Sequence, residues 1–335
     1  MNRNWLYLGV LGGVGLAAIL PLGVSAYYTH VLIQIMIFGY LSYCWNILGG
    51  FAGQLSFGHA LFLAVGAYTS TMLLLGLGIT PWLGMLVGGL LAAGLGLFIG
   101  FLSFRYGIKG PYFALITLAF AEIARIVALN IQSIGGAHGL YIPIQENDLW
   151  RLKFVDKSAY YHVILGFLCL ALGVTAWLER SRVGHCMLAV KENEIAAQAL
   201  GVSPMRYKLL ATALSAFFTA MGGTFYAHYV TFIDPHTLIN LNMALEITIY
   251  AIVGGLGTLW GPLLGSALLV PLAEAMRATL GKSYAGIHLV VYGASLMIII
   301  LFAPEGLMGL IRMILHRRGA MGSRFAVANP EGHRK

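Results

Sequence analysis

The chain has 335 residues, of which 59% are hydrophobic and only 10% charged, and its formal net charge is +8. A soluble domain carries about 25% charged residues, and a soluble protein of this length has nowhere to hide so much apolar surface, so that class is excluded. No basic stripe with interleaved aromatics appears, so the positive charge does not point to nucleic acid.

Runs of about 20 apolar residues, long enough to cross a bilayer as helix, recur along the chain. They predict spans near 5–25, 29–49, 58–78, 82–103, 112–130, 158–178, 208–231, 243–256, 261–279 and 284–303. The fold class expected is an all-α membrane protein, a polytopic helical bundle of about ten transmembrane helices. The alternating short segments of a β-barrel are absent. The first run follows Arg3 and ends near Val24-Ser25-Ala26, a weak likeness to a signal-peptide cleavage site. It is too long for a typical h-region and another span follows directly, so a retained helix is expected. A membrane domain thus covers residues 1–310, and 311–335 forms a basic tail expected to be flexible.

Lysine and arginine placement sets the orientation. With the N-terminus cytoplasmic, ten spans put Arg3, Arg105, Lys109, Arg180, Arg182, Lys191, Arg206, Lys208, Arg312, Arg317, Arg318, Arg324, Arg334 and Lys335 inside, fourteen of the twenty basic residues. The positive charge therefore reads as topology, and the tail as cytosolic.

Between the second and third spans, Asn46, Gln54, Ser56 and His59 surround Gly49, Gly50 and Gly53. On the fifth span lie Thr117, Glu122 and Arg125. A charge at the centre of a spanning helix costs roughly 2.5–3.5 kcal/mol even on a lenient insertion scale. Glu122 and Arg125 stand three apart on one face and can pair locally; alternatively they line a polar route or hold a gate. Glu246, near the start of the eighth span, serves either role or sits at the interface. Gly254, Gly255 and Gly257 interrupt a hydrophobic run before Gly261-Pro262. Broken helices often mark the substrate path of transporters, and an ordinary turn between short helices fits as well. These eleven polar and glycine positions are the candidates for a translocation path or gate.

A charge-dense island between spans, residues 179–207, is the most informative stretch. Asn193 is a good N-cap, Glu194 puts a negative charge in the first turn, and the alanine-rich run to Leu200 favours helix. Gly201 stands where a helix needs a left-handed C′ residue. Ser203 and Pro204 read as N-cap and first residue of the next helix. A helix of about two turns is too short to be stable alone and needs bracing. Ile195, Ala196, Ala199 and Leu200 give it a small-residue face for another protein's groove; the bland alternative is an amphipathic helix at the bilayer surface.

Other signals carry less. Cys44, Cys169 and Cys186 lack metal or redox spacing. Gly281-Lys282-Ser283 resembles the end of a P-loop, but Met276 stands where the first glycine belongs. Gly9/Gly13, Gly84/Gly88, Gly96/Gly100 and Gly257/Gly261 fit small-xxx-small helix packing. No Ser/His/Asp or Cys/His catalytic arrangement and no H-E-x-x-H appears, so no catalytic residue, metal or cofactor is assigned to this chain.

Four stretches in order resemble the permease subunits of branched-chain amino acid ABC importers, of the LivH/LivM family and closest in pattern to its LivM type. They are Gly53-Gln54-Leu55-Ser56-Phe57-Gly58-His59-Ala60 with Gly66-Ala67-Tyr68, Gly110-Pro111 through Arg125-Ile126, the island, and Gly254 through Pro262 with Pro304-Glu305-Gly306-Leu307. The resemblance implies a vitamin B12-type importer permease in a bacterial inner membrane. It implies two cytosolic ABC ATPase subunits that bind ATP and magnesium, a second homologous permease, and a periplasmic binding protein delivering leucine, isoleucine or valine. It also implies that Glu194, Ile195, Ala196, Ala197, Leu200 and Gly201 form the helix that couples to the ATPase, with Glu194, Ala197 and Gly201 in contact. Urea or short-amide importers use similar permeases. A stand-alone channel or secondary transporter, with Glu122 and Glu246 as ion-coupling sites, is the reading from a different class.

Overall fold

Helix boundaries follow local chemistry. The computed structural model describes residues 25–143, 148–280, 293–294, 297, 301, 306–310 and 313. The first expected span apart from Ser25, most of the tenth, the Gly281-Lys282-Ser283 segment, Gly9/Gly13 and all of the basic tail but Met313 lie outside the described residues. Helix α1, Ala26–Asn46, continues into a π-helical turn at Ile47–Phe51. Helix α2, His59–Leu77, ends on Gly78 in the left-handed region, and Thr80 and Pro81 start α3, Pro81–Arg105. Then follow α4, Pro111–Asn130, α5, Lys157–Arg180, α6, Arg182–Glu192, α7, Glu194–Ala199, and α8, Pro204–Val230. A short α9, Pro235–Leu238, leads into α10, Leu241–Gly254, and α11 covers Gly261–Leu280. Asp234 and Asn240 cap α9 and α10, Asp234 Oδ1 accepting from His236 and Thr237 and Asn240 Oδ1 from Met243.

Seven helical segments among the described residues are long and apolar enough to cross a membrane. Large apolar side chains such as Leu77, Leu90, Tyr112 and Leu115 stand exposed on them, as lipid-facing side chains do. The chain is a polytopic helical membrane protein. Helix α11 matches the expected ninth span but carries Pro271, Glu274 and Arg277 and falls outside those seven.

Helix α1 is the centre of the bundle, packed against α5, α8, α10 and α11. Beside it α2, α3 and α8 form a tight triple. Lipid chains are as apolar as leucine, so close backbone approach, and not apolar burial, holds such helices together. The glycine stripe of α3 does this on two fronts. A Cβ on Gly84 or Gly88 would stand 2.9 Å from Ser70 or 3.0 Å from Gly66 of α2, and one on Gly96 would stand 3.1 Å from Ala216 of α8. By contrast, α4 lies on the outside, with 28% of its apolar window buried against 72% for α1.

One departure from the all-helical expectation is a two-residue ladder. β1, Leu140–Tyr141, pairs antiparallel with β2, Phe232–Ile233, so that Leu140 faces Ile233 and Tyr141 faces Phe232. It ties the connection after α4 to the end of α8. Two residues per strand leave no alternation for a sequence to display.

Candidate functional site

The island folds as its caps predict. Asn193 Oδ1 accepts from the Ile195 and Ala196 amides at 3.0 and 3.1 Å. At the other end Gly201 takes φ +83°. Its N–H donates to the Gln198 carbonyl at 2.9 Å and that of Val202 to Ala197 at 3.0 Å, a Schellman closure. Pro204 opens α8, but the Ser203 side chain makes no capping bond.

Six residues cannot hold a helix unaided, and the bracing comes from Glu194. Its carboxylate meets the Lys109 ammonium at 2.7 Å with one oxygen and Lys208 with the other. Lys208 is 3% exposed and lies over the Phe104 ring, 5.3 Å from its centroid. Burial pushes the Glu194 carboxyl up, but its bonds to Lys109 and Lys208 outweigh that and hold it below its ordinary value.

The six coupling candidates therefore divide. Ala197 is 2% exposed and turned into its own chain, because an anchored two-turn helix must bury one side; it is not part of the outer face. Glu194 is occupied by the chain's own lysines. Ile195 and Leu200, 78% and 82% exposed, stand outward with Ala196 and Ala199, and Gly201 is open with nothing near a Cβ. The outward face is the one that the residue pattern of 195, 196, 199 and 200 singles out.

Behind the island lies a polar knot. Lys191, at the end of α6, donates to the Gly50 carbonyl at 2.9 Å, and its stem covers Gly53, where a Cβ would come within 2.7 Å of it. Asn46 Oδ1 accepts from Gly257 at 2.9 Å while Nδ2 donates to the Thr258 carbonyl. Trp45 Nε1 donates to the Ser56 carbonyl at 2.8 Å, and Ser56 Oγ accepts from Gly58. Thr117 Oγ1 accepts from Phe57 at 3.0 Å. His59 Nε2 meets Ser215 Oγ at 2.7 Å, and that hydroxyl bonds the Cys44 carbonyl. Gln54 Nε2 donates to Ala52. Gly254 ends α10, and Thr258 closes the turn to α11 by donating to Gly255 and accepting from Gly261.

Seven of the eleven path candidates (Asn46, Gln54, Ser56, His59, Gly254, Gly255 and Gly257) thus serve this knot, and Thr117 ties α4 to it. All eight are buried or nearly so, and none of them borders the far-end cleft that Glu246 lines. Glu122 and Arg125 do pair, Arg125 Nε donating to Glu122 at 2.9 Å, with a further contact from Arg125 to His236 at 3.1 Å. They lie on the outer face of α4, Glu122 half exposed, and not in the core. Lys191, Lys208 and Lys109 read in the sequence only as topology signals. Their partners lie on other elements, which a linear pattern does not show.

Comparison with known proteins gives three findings. The family model for the permease component of branched-chain amino acid transport systems matches residues 27–301. The permease protein LivM of a high-affinity branched-chain amino acid transport system from Escherichia coli (strain K12) is 30% identical, the alignment covering 89% of this chain and 73% of that protein. The corresponding permease protein LivH of Salmonella typhimurium is 26% identical over 86% of this chain and 93% of its own length. No solved structure matches the chain.

Proposed function

The chain belongs to the permease-component family of branched-chain amino acid transport systems, and from that premise we propose that it moves leucine, isoleucine and valine across a bacterial inner membrane, driven by ATPase subunits docked on α7. The observation that carries this reading is the outward pair Ile195 and Leu200, more than three-quarters exposed on a six-residue helix. Two caps and an ion triad hold this short helix in place while its apolar side chains stand exposed. An apolar patch presented so firmly fits a partner's groove.

In this reading the chain has about ten spans in the vitamin B12-type importer fold, with N- and C-termini and the 311–335 tail cytoplasmic. Two ATPase chains bring ATP and magnesium, and a periplasmic protein delivers the cargo. A second, homologous permease covers α4, whose Glu122–Arg125 pair is costly against lipid and acceptable beside protein or a water-filled route. The foot connects to the membrane core through Lys191: when the ATPases close and shift α6 and α7, the bond to Gly50 carries the shift to the end of α1 and, through Asn46, to the α10–α11 turn. Closure drives transport because the ATPases bind the two states with different affinity.

A double variant, Ile195→Glu with Leu200→Glu, tests this in the assembled importer. The ATPase subunits should no longer co-purify and leucine uptake should fall at least tenfold. Thermal stability of the permease should stay within about 0.5 kcal/mol, as for exposed sites generally. Full uptake with retained ATPases would sink the docking assignment, and import of urea in place of leucine would sink the cargo.

A further inference from the structure

At the end of the bundle away from the island, a cleft of about 360 Å³ opens between the middle of α1, the end of α8, α9, α10 and α11 from Val270 onward. That volume lies at the small end of the roughly 300–1,000 Å³ typical of ligand sites. Its walls are of two kinds. Phe38, Met243 and Val270 make part of its lining apolar, and Glu246, Glu274 and Arg277 bring charge to it. Arg277 Nη1 donates to Glu274 at 3.0 Å, using one of the five donors a guanidinium carries. Glu246 takes no hydrogen bond or ion pair from any described residue.

Two carboxylates against one guanidinium leave the cleft one negative charge in surplus, and a carboxylate at membrane depth calls for a cationic partner. The rest of the guanidinium has donors free for an anionic group, in the planar geometry that suits a carboxylate. An α-amino acid zwitterion with an aliphatic side chain satisfies both and matches the apolar lining.

We propose that this cleft is a cargo-binding station in which Glu246 receives the ammonium group, Arg277 the carboxylate, and Phe38, Met243 and Val270 the branched side chain. The proposal rests on the cargo reading above and adds to it the place where the cargo sits. Glu274 holds Arg277 in position and does not itself meet the cargo.

Site-directed labelling in the complete importer tests it. With Cys169 and Cys186 changed to alanine, Ala273→Cys places a thiol on the cleft wall for a charged maleimide. Saturating leucine should slow labelling at least fivefold. 3-Methylbutylamine, which lacks the carboxylate, and 4-methylpentanoate, which lacks the ammonium, should each protect less than twofold. Glu246→Gln should abolish leucine protection while ATP hydrolysis persists, and Glu246→Asp should restore part of it. If Glu246→Gln fails to assemble, Arg277→Gln, whose side chain is 64% exposed, carries the same test. Leucine import with unprotected labelling, or protection undiminished in both variants, overturns the station. An importer that moves no branched-chain amino acid overturns the cargo reading beneath it, a separate result read from uptake alone.

Discussion

At the island end of the bundle, polar side chains meet the chain's own backbone: Asn46 reaches Gly257, Lys191 reaches Gly50, and Ser215 reaches Cys44. At the far end, Glu246 faces a cleft and the Glu122–Arg125 pair lies on the outer surface of α4. Apart from Lys191, which belongs to the island, the polar side chains of both groups lie in membrane-spanning sequence and look alike in it. The difference lies in the backbone beside them. Around Asn46 the helices break into a π-turn and two glycine turns, leaving amides and carbonyls that must find partners away from water. Glu246 sits within the regular helix α10 and takes no hydrogen bond or ion pair from any described residue. A polar residue beside broken backbone thus has a structural task to perform, and one within regular helix has none that the backbone sets it.

The strongest way to break this comparison is Asn46→Leu. It leaves the half-buried Gly257 amide without its acceptor and the Thr258 carbonyl without its donor, a loss of about 1–2 kcal/mol, visible as a lower melting temperature in detergent together with reduced uptake. Lys191→Met keeps the stem over Gly53 and loses only the bond to Gly50. Because that side chain is half-buried and water can reach part of it, about 1 kcal/mol is expected. A melting temperature unchanged in both variants would show that the knot does not hold the island end.

A second test changes pH and no residue. The folded-state pKa of Glu194 is depressed, so the stability it contributes is fully present above its ordinary value of 4.5 and is lost as pH falls through the lower folded value. Amide exchange in residues 194–202 should therefore accelerate below pH 4.5 beyond its intrinsic pH dependence, and Glu194→Gln should show that faster exchange at neutral pH as well. A Glu194→Gln profile superposable on the parent chain would mean that Lys109 and Lys208 do not brace the foot.

Much of this architecture is legible in the sequence, for identifiable reasons. Membrane crossing demands long apolar runs, so the second to eighth spans match observed helices closely. The island's caps depend on residues within one turn, and Asn193 and Gly201 take up their expected roles. What the sequence conceals is arrangement. Helices α1 and α4 are both continuous apolar runs, yet one is the hub and the other the rim, because burial depends on neighbours that periodicity does not name. Glu194 and Lys208 stand fourteen residues apart across two helix boundaries, and only the fold of the loop brings them together. Gly254, Gly255 and Gly257 read in sequence only as a break in an apolar run; that Thr258 and the distant Asn46 tie that break together is not written in it.

The smallest expected effect separates two residues that sequence places in the same role. Asn193 and Ser203 both occupy N-cap positions, but Asn193 accepts two amide bonds and Ser203 accepts none with its side chain. Asn193→Ala should therefore loosen α7 by about 1 kcal/mol, seen as roughly fivefold faster amide exchange at Ile195 and Ala196. Ser203→Ala should change the start of α8 by less than about 0.5 kcal/mol, because its side chain makes no bond to an α8 amide that the change could remove. Equal effects at the two sites would mean that position relative to the helix, and not the bond itself, sets the stability of the foot, and the apolar pair Ile195 and Leu200 would then be held out by the Glu194 ion pairs and packing at Ala197, without the cap.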